Sequence, residues 1–116
     1  MISRTIGRFI VVAVAATMLF VTTTVPANSS TGNGTIHTVE IRNLEFFPSE
    51  LAVSPGDTVR WVNRDFVPHT ATASDNSWDT GKLDKDESAE IVFDSSMTLR
   101  YYCIFHPMMK ASIVID

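Results

Sequence analysis

From Thr35 to Asp116, apolar side chains recur at every second position, the period of strands with one buried face. Val39 and Ile41 alternate with Glu40 and Arg42, and Val59 and Trp61 with Thr58 and Arg60. Ile91 and Phe93 alternate with Glu90 and Val92, and Ile113 and Ile115 with Ser112 and Val114. Turn-forming residues separate the runs: Pro48, Ser54-Pro55-Gly56-Asp57, Asp75-Asn76-Ser77, Gly81 and Asp94-Ser95-Ser96. No longer stretch carries a helical apolar stripe, so crossover helices and a parallel sheet are not expected. The pattern predicts an all-β domain, a Greek-key β-sandwich of about seven to eight short strands. A hydrophobic content of 45% supplies a core and argues against disorder as the overall state.

Upstream the composition changes. Arg4 and Arg8 precede an apolar run over residues 9–21, and Val25-Pro26-Ala27 follows with small residues where a signal peptidase reads. Residues 1–27 therefore read as a signal peptide or, if retained, an N-terminal membrane anchor. Either way the rest of the chain is exported, to the periplasm or the extracellular space. Residues 28–34, a Ser, Thr, Gly and Asn run, read as a flexible leader, and 35–116 as the folded domain. Asn28 and Asn33 head N-x-[ST] sites, which matter where the host glycosylates exported proteins. Beyond residue 27 thirteen acids face seven basic residues, a formal charge of −6. That balance offers no surface to a nucleic-acid backbone. The acidic stretch at 82–90 reads as a solvated loop and strand start, with docking of a basic partner as the sharper alternative.

The chain has one cysteine, which excludes an internal disulfide, a four-cysteine zinc site and a cysteine-ligated iron–sulfur cluster. It lies in Tyr101-Tyr102-Cys103-Ile104-Phe105-His106-Pro107-Met108-Met109, just before the last strand. A thiolate, an imidazole and a thioether thus fall within seven residues, close enough for one loop to curl them around a point. Soft sulfur with imidazole selects copper, and two His, one Cys and a weak axial Met form the blue-copper electron-transfer arrangement. A second imidazole is needed from elsewhere. His69 is the candidate: it follows Pro68 in a loop leaving the strand of Trp61, 34 positions before Cys103. His37, without patterned neighbours, reads as an ordinary surface residue.

These residues resemble the cupredoxin (plastocyanin/azurin) family. Cys103, His106, Pro107 and Met109 meet its C-x-x-H-P-x-M pattern, and Pro68-His69 after Asn63 meets its upstream ligand motif. Phe46-Phe47-Pro48, Leu51-Ala52-Val53, Gly56-Asp57-Thr58-Val59, Trp61 and Asn63 are similar to its second and third strands. The resemblance covers roughly residues 36–116. It implies one Cu(I)/Cu(II) ion per chain, with His69 Nδ1, Cys103 Sγ and His106 Nδ1 in a trigonal plane and Met109 Sδ as the long axial contact. Met108 is the competitor for the axial role, one position too early for the pattern. Many members place Asn directly after the first ligand His to tie the ligand loops together; here it is Thr70.

The resemblance implies a type 1 (blue) copper protein passing single electrons between a redox donor and acceptor, as a monomer. Electrons would enter through an apolar patch around His106, formed by Pro107, Met108, Phe105, Val67, Phe66 and Pro68. Tyr102, pointing to the outer face beside Cys103, is a second route, or plain sheet packing. Membrane contact is expected only if the N-terminal segment is kept. The alternative is copper storage or delivery, to which Met97, Met108, Met109 and the three His are suited. An enzyme is not expected: the further copper ligands of an oxidase or nitrite reductase are missing, as are a G-x-S-x-G elbow and a phosphate loop.

Overall fold

The computed structural model describes residues 13–21 and 34–116. Apart from 13–21 and Gly34, the expected signal or anchor at 1–27 and the leader at 28–34 lie outside the described residues. Eight strands follow in order: β1 (Ile36–Arg42), β2 (Glu45–Phe47), β3 (Glu50–Val53), β4 (Thr58–Asn63), β5 (Thr72–Ala73), β6 (Ser88–Val92), β7 (Arg100–Tyr102) and β8 (Lys110–Ile115). They form two four-stranded sheets, β2-β1-β4-β6 and β3-β8-β7-β5, and the all-β sandwich expected from the period is the fold found. No helix occurs among the described residues.

The pairings are mixed rather than wholly antiparallel. β1 runs parallel to β4, with Val39 opposite Trp61, and β3 runs parallel to β8, with Leu51 opposite Ile113. The remaining neighbours are antiparallel. Parallel pairs need a long connection, and here intervening strands drawn from both sheets provide it in place of a helix.

Alternation sets which side chains meet between the sheets. Val39, Ile41, Val59 and Trp61 are fully buried from β1 and β4, and Ile113 is buried from β8, while Val92 and Val114 face outward. Phe46, Trp61, Trp78, Phe93 and Tyr101 pack as one aromatic group, with ring centroids 4.8–6.0 Å apart in tilted or edge-on contacts. Such geometry adds to area burial because ring edges meet ring faces of opposite partial charge.

His37 departs from the sequence expectation. Its Nε2 lies 2.8 Å from Asp57 Oδ2, and the ring is half-buried instead of loose on the surface. Asp57 also accepts the amides of Thr35 and Ser54, so one carboxylate ties the start of β1 to the turn entering β4. Gly34 packs against the Gly56 backbone of the same turn, too closely for a Cβ. Because β1 and β4 are parallel, this staple lies at the end of the sandwich opposite the loop that follows β4.

Candidate metal centre

At that other end, the loop leaving β4 meets the loop joining β7 to β8. Asn63, fully buried at the end of β4, organises the first of them. Its amide nitrogen donates to the carbonyls of Val67 and Leu83, and its oxygen accepts from Asp65 N. His69 is held in turn by two backbone bonds with Leu83, His69 N to Leu83 O at 3.1 Å and Leu83 N to His69 O at 2.8 Å. The 82–90 stretch is therefore not wholly a solvated loop, since Leu83 is buried and braces His69.

The second loop closes on itself. Cys103 N donates to Met109 O at 3.1 Å, His106 N to Cys103 O at 3.3 Å and Met109 N to His106 O at 2.8 Å. Pro107, lacking an N–H, sits at a position where this ladder asks for no donor. The closed loop turns three side chains inward or to the rim: Cys103 is fully buried, Met109 nearly so, and His106 partly.

These loops bring His69, Cys103 and His106 together, with ligand atoms all within 4.8 Å of one another. Cys103 Sγ lies 3.6 Å from His69 Nδ1 and 3.8 Å from His106 Nδ1. A metal with nitrogen at about 2.0 Å and sulfur at about 2.3 Å holds two such ligands roughly 3.5–3.7 Å apart at tetrahedral to trigonal angles. The donor separations therefore fit a shared ion, and their mixture of imidazole and soft sulfur fits copper. Met109, of the two candidate thioethers, is buried in the same core cluster as Cys103 at 5% exposure, whereas Met108 is exposed at 92%.

The surroundings orient these donors. Asp65 Oδ2 lies 2.8 Å from His69 Nε2. Burial works to raise the Asp65 carboxyl, but the Leu44 and Asn43 amides and the His69 ring outweigh it and hold it below the ordinary value. An ionised carboxylate only accepts, so His69 Nε2 donates and Nδ1 keeps its lone pair toward Cys103. Asp65 also fastens the β1–β2 hairpin, accepting Asn43 N at 2.8 Å and Leu44 N at 3.0 Å, where both residues have positive φ. The sequence pattern alone does not single out Asp65. Its one signal was an acid four positions before a ligand-candidate His.

Thr70 takes the place of the family's Asn. Its amide donates to Cys103 Sγ at 3.4 Å and its hydroxyl accepts Ile104 N at 2.9 Å, so both loops are tied through this single residue.

Two imidazoles and a cysteine sulfur at one end of an eight-stranded sandwich define a small metal-binding β-sandwich protein. The chain belongs to the plastocyanin/azurin family of copper-binding proteins, whose sequence pattern matches residues 33–116. It is 28% identical over 83 residues to amicyanin of Paracoccus denitrificans, covering 67% of this chain and 63% of that one. Amicyanin of Paracoccus versutus is 24% identical over the same length and coverage, so the match spans less than two thirds of these relatives. Among solved structures, a Cu(I) form of an amicyanin mutant superposes with a TM-score of 0.62 at 30% identity, covering 72% of this chain and 83% of that one. A copper-containing nitrite reductase of Thermus scotoductus SA-01 superposes with a TM-score of 0.59 at 28% identity, covering 68% of this chain and 22% of the reductase.

Proposed function

We propose that His69 Nδ1, Cys103 Sγ, His106 Nδ1 and Met109 Sδ hold one copper ion in a type 1 site, and that the chain carries single electrons between redox proteins outside the cytoplasm. The observation that carries this reading is the buried sulfur of Cys103 with an imidazole nitrogen on either side at 3.6 and 3.8 Å. Copper supplies a one-electron couple, Cu(I)/Cu(II). The chain's part is to keep the donors in one place in both states. Asp65 fixes the His69 ring, Thr70 N fixes the sulfur, and the closed 103–109 loop fixes His106 and Met109.

A carrier also needs a contact surface. His106 is the ligand candidate that reaches the rim, and Phe66, Met108, Phe105 and Val67 lie exposed on the same two loops. A small apolar patch suits brief encounters, which bury little area. We read the chain as a carrier and not an enzyme, because the donor set is spent on holding the ion and the loops pack over it. Export rests on the signal-like composition of residues 1–27, and residues 35–116 form the copper domain.

The test is a visible absorption spectrum during titration with Cu(II). A strong blue band saturating at one equivalent, bleached by reductant and missing in Cys103→Ala and His69→Ala, is the expected result. A colourless complex would overturn the carrier reading and favour copper storage or delivery.

A further inference from the structure

Behind Thr70 a polar chain runs out of the protein. Thr72 Oγ1 donates to Asp79 Oδ1 at 2.7 Å, and Thr70 Oγ1 lies 2.9 Å from Thr72 Oγ1. Both threonines are buried, at 3% and 2% exposure, while Asp79 lies at the surface. A hydroxyl has one proton to give. Thr72 gives its proton to Asp79, so it accepts from Thr70. Thr70 then has no proton for any other partner, and its oxygen is left facing the Ile104 amide at 2.9 Å. The direction of every bond is therefore set by the carboxylate at the outer end.

We propose that Asp79 is a positioning residue for the copper ligand loop, acting through the hydroxyls of Thr72 and Thr70 to hold the backbone directly after Cys103. The inference rests on the copper reading above for its functional half, and on these hydrogen bonds alone for its structural half. A residue in the connection from β5 to β6 thus governs how firmly the cysteine sulfur is held. Thr70 grips Cys103 from two sides, by its amide on the sulfur and its hydroxyl on the next N–H. With no acceptor at position 79 the two hydroxyl protons are free to turn, and one orientation directs the Thr70 proton at Ile104 N–H and breaks that bond. Chains of this kind strengthen each member by polarisation.

The experiment has two parts, both on the full chain. In the metal-free protein, amide hydrogen exchange at Ile104 is followed in Asp79→Ala, Thr72→Val and Thr72→Ser. Losing one hydrogen bond is expected to speed that exchange about five- to tenfold in the first two variants. The β1–β4 ladder should stay protected, and Thr72→Ser should restore Ile104. Asp79→Ala, altered only at the surface, decides the question if Thr72→Val proves poorly folded. Unchanged Ile104 exchange in Asp79→Ala would overturn the proposal even where the blue band is intact. In the copper-loaded protein the reduction potential is expected to fall in Thr72→Val, since a loosened Thr70 amide no longer offsets charge on the sulfur, and to recover in Thr72→Ser. A constant potential beside a loosened Ile104 would overturn the functional role and leave a purely structural bond. Loosened Ile104 without any copper-dependent colour would instead sink the copper reading and uphold the hydrogen-bond chain.

Discussion

At position 101 a phenol occupies a place where a phenyl ring would pack as well. The Tyr101 ring stacks edge-on with Phe46 and Trp61, yet among the described residues neither its hydroxyl nor the Trp61 indole N–H has a well-formed hydrogen bond, and the indole only tempers the upward shift of the hydroxyl. Burial pushes the hydroxyl up to about 12. An unpartnered buried polar atom costs about 1–3 kcal/mol, and removing it together with its need for a partner recovers part of that. Tyr101→Phe is therefore expected to raise stability by about 1 kcal/mol, read as a higher urea midpoint with an unchanged slope. Asp65 is the opposite case, a side chain whose every contact is used. Asp65→Ala frees the His69 ring and two hairpin amides, and it should weaken copper binding by about 10- to 100-fold, as loss of an outer-shell partner typically does. Competition with a chelator of known affinity measures it.

Among the elements, the strands carry their own signature and their pairings do not. Val39/Ile41 and Val59/Trp61 announce buried faces by spacing alone, because side chains alternate sides along an extended backbone. That β1 lies parallel to β4 within a mixed sheet depends on which distant strand docks beside which. Local sequence carries no such information. The candidate metal-site residues were legible for a different reason: Cys103, His106 and Met109 crowd one short loop, where spacing alone limits what they can reach. Asp65, Thr72 and Asp79 were not legible, since acids and threonines in turns are usually solvated and only the folded contacts give these a role. The same holds for His37 and its carboxylate. Asp57 is held below its ordinary value of 3.8 by the Ser54 amide, the His37 ring and the Thr35 amide. In the turn after β5, Asp75 is lowered to about 2 by the Ser77 and Thr98 hydroxyls and the Ser77 amide. A carboxylate with a depressed folded value stabilises the fold above its unfolded value, and that contribution is lost as pH falls toward the folded value. The stability these two carboxylates contribute to the metal-free protein should thus decline between pH 3.8 and about 2. Asp75→Asn should flatten part of this decline in denaturant titrations across that range.

For the molecule as a whole, the metal centre bears on stability as much as on chemistry. The stretch from Thr35 to Asp116 is 82 residues long with one cysteine, so no disulfide closes it. A domain of this size buries only about 60–65% of its unfolded surface and is correspondingly marginal. His69 and Cys103 stand 34 positions apart and their loops leave strands of different sheets, β4 and β7. An ion shared between them ties the two ligand loops together at one end, while the Asp57 carboxylate fastens β1 to the β3–β4 turn at the other. Binding confined to the folded state adds about 4 kcal/mol when free ligand stands a thousandfold above its dissociation constant. For a domain of fewer than a hundred residues each kcal/mol moves the melting midpoint by about 4–8 °C. Stripping copper is therefore expected to lower the midpoint by on the order of 15–30 °C in scanning calorimetry. His69→Ala, which cuts the link between the two loops but leaves Cys103, His106 and Met109 in theirs, should lose most of that difference while melting near the metal-free protein. If the variant kept the full copper-dependent shift, the stabilisation would reside in the 103–109 loop alone, and the link between the two loops would not be its source.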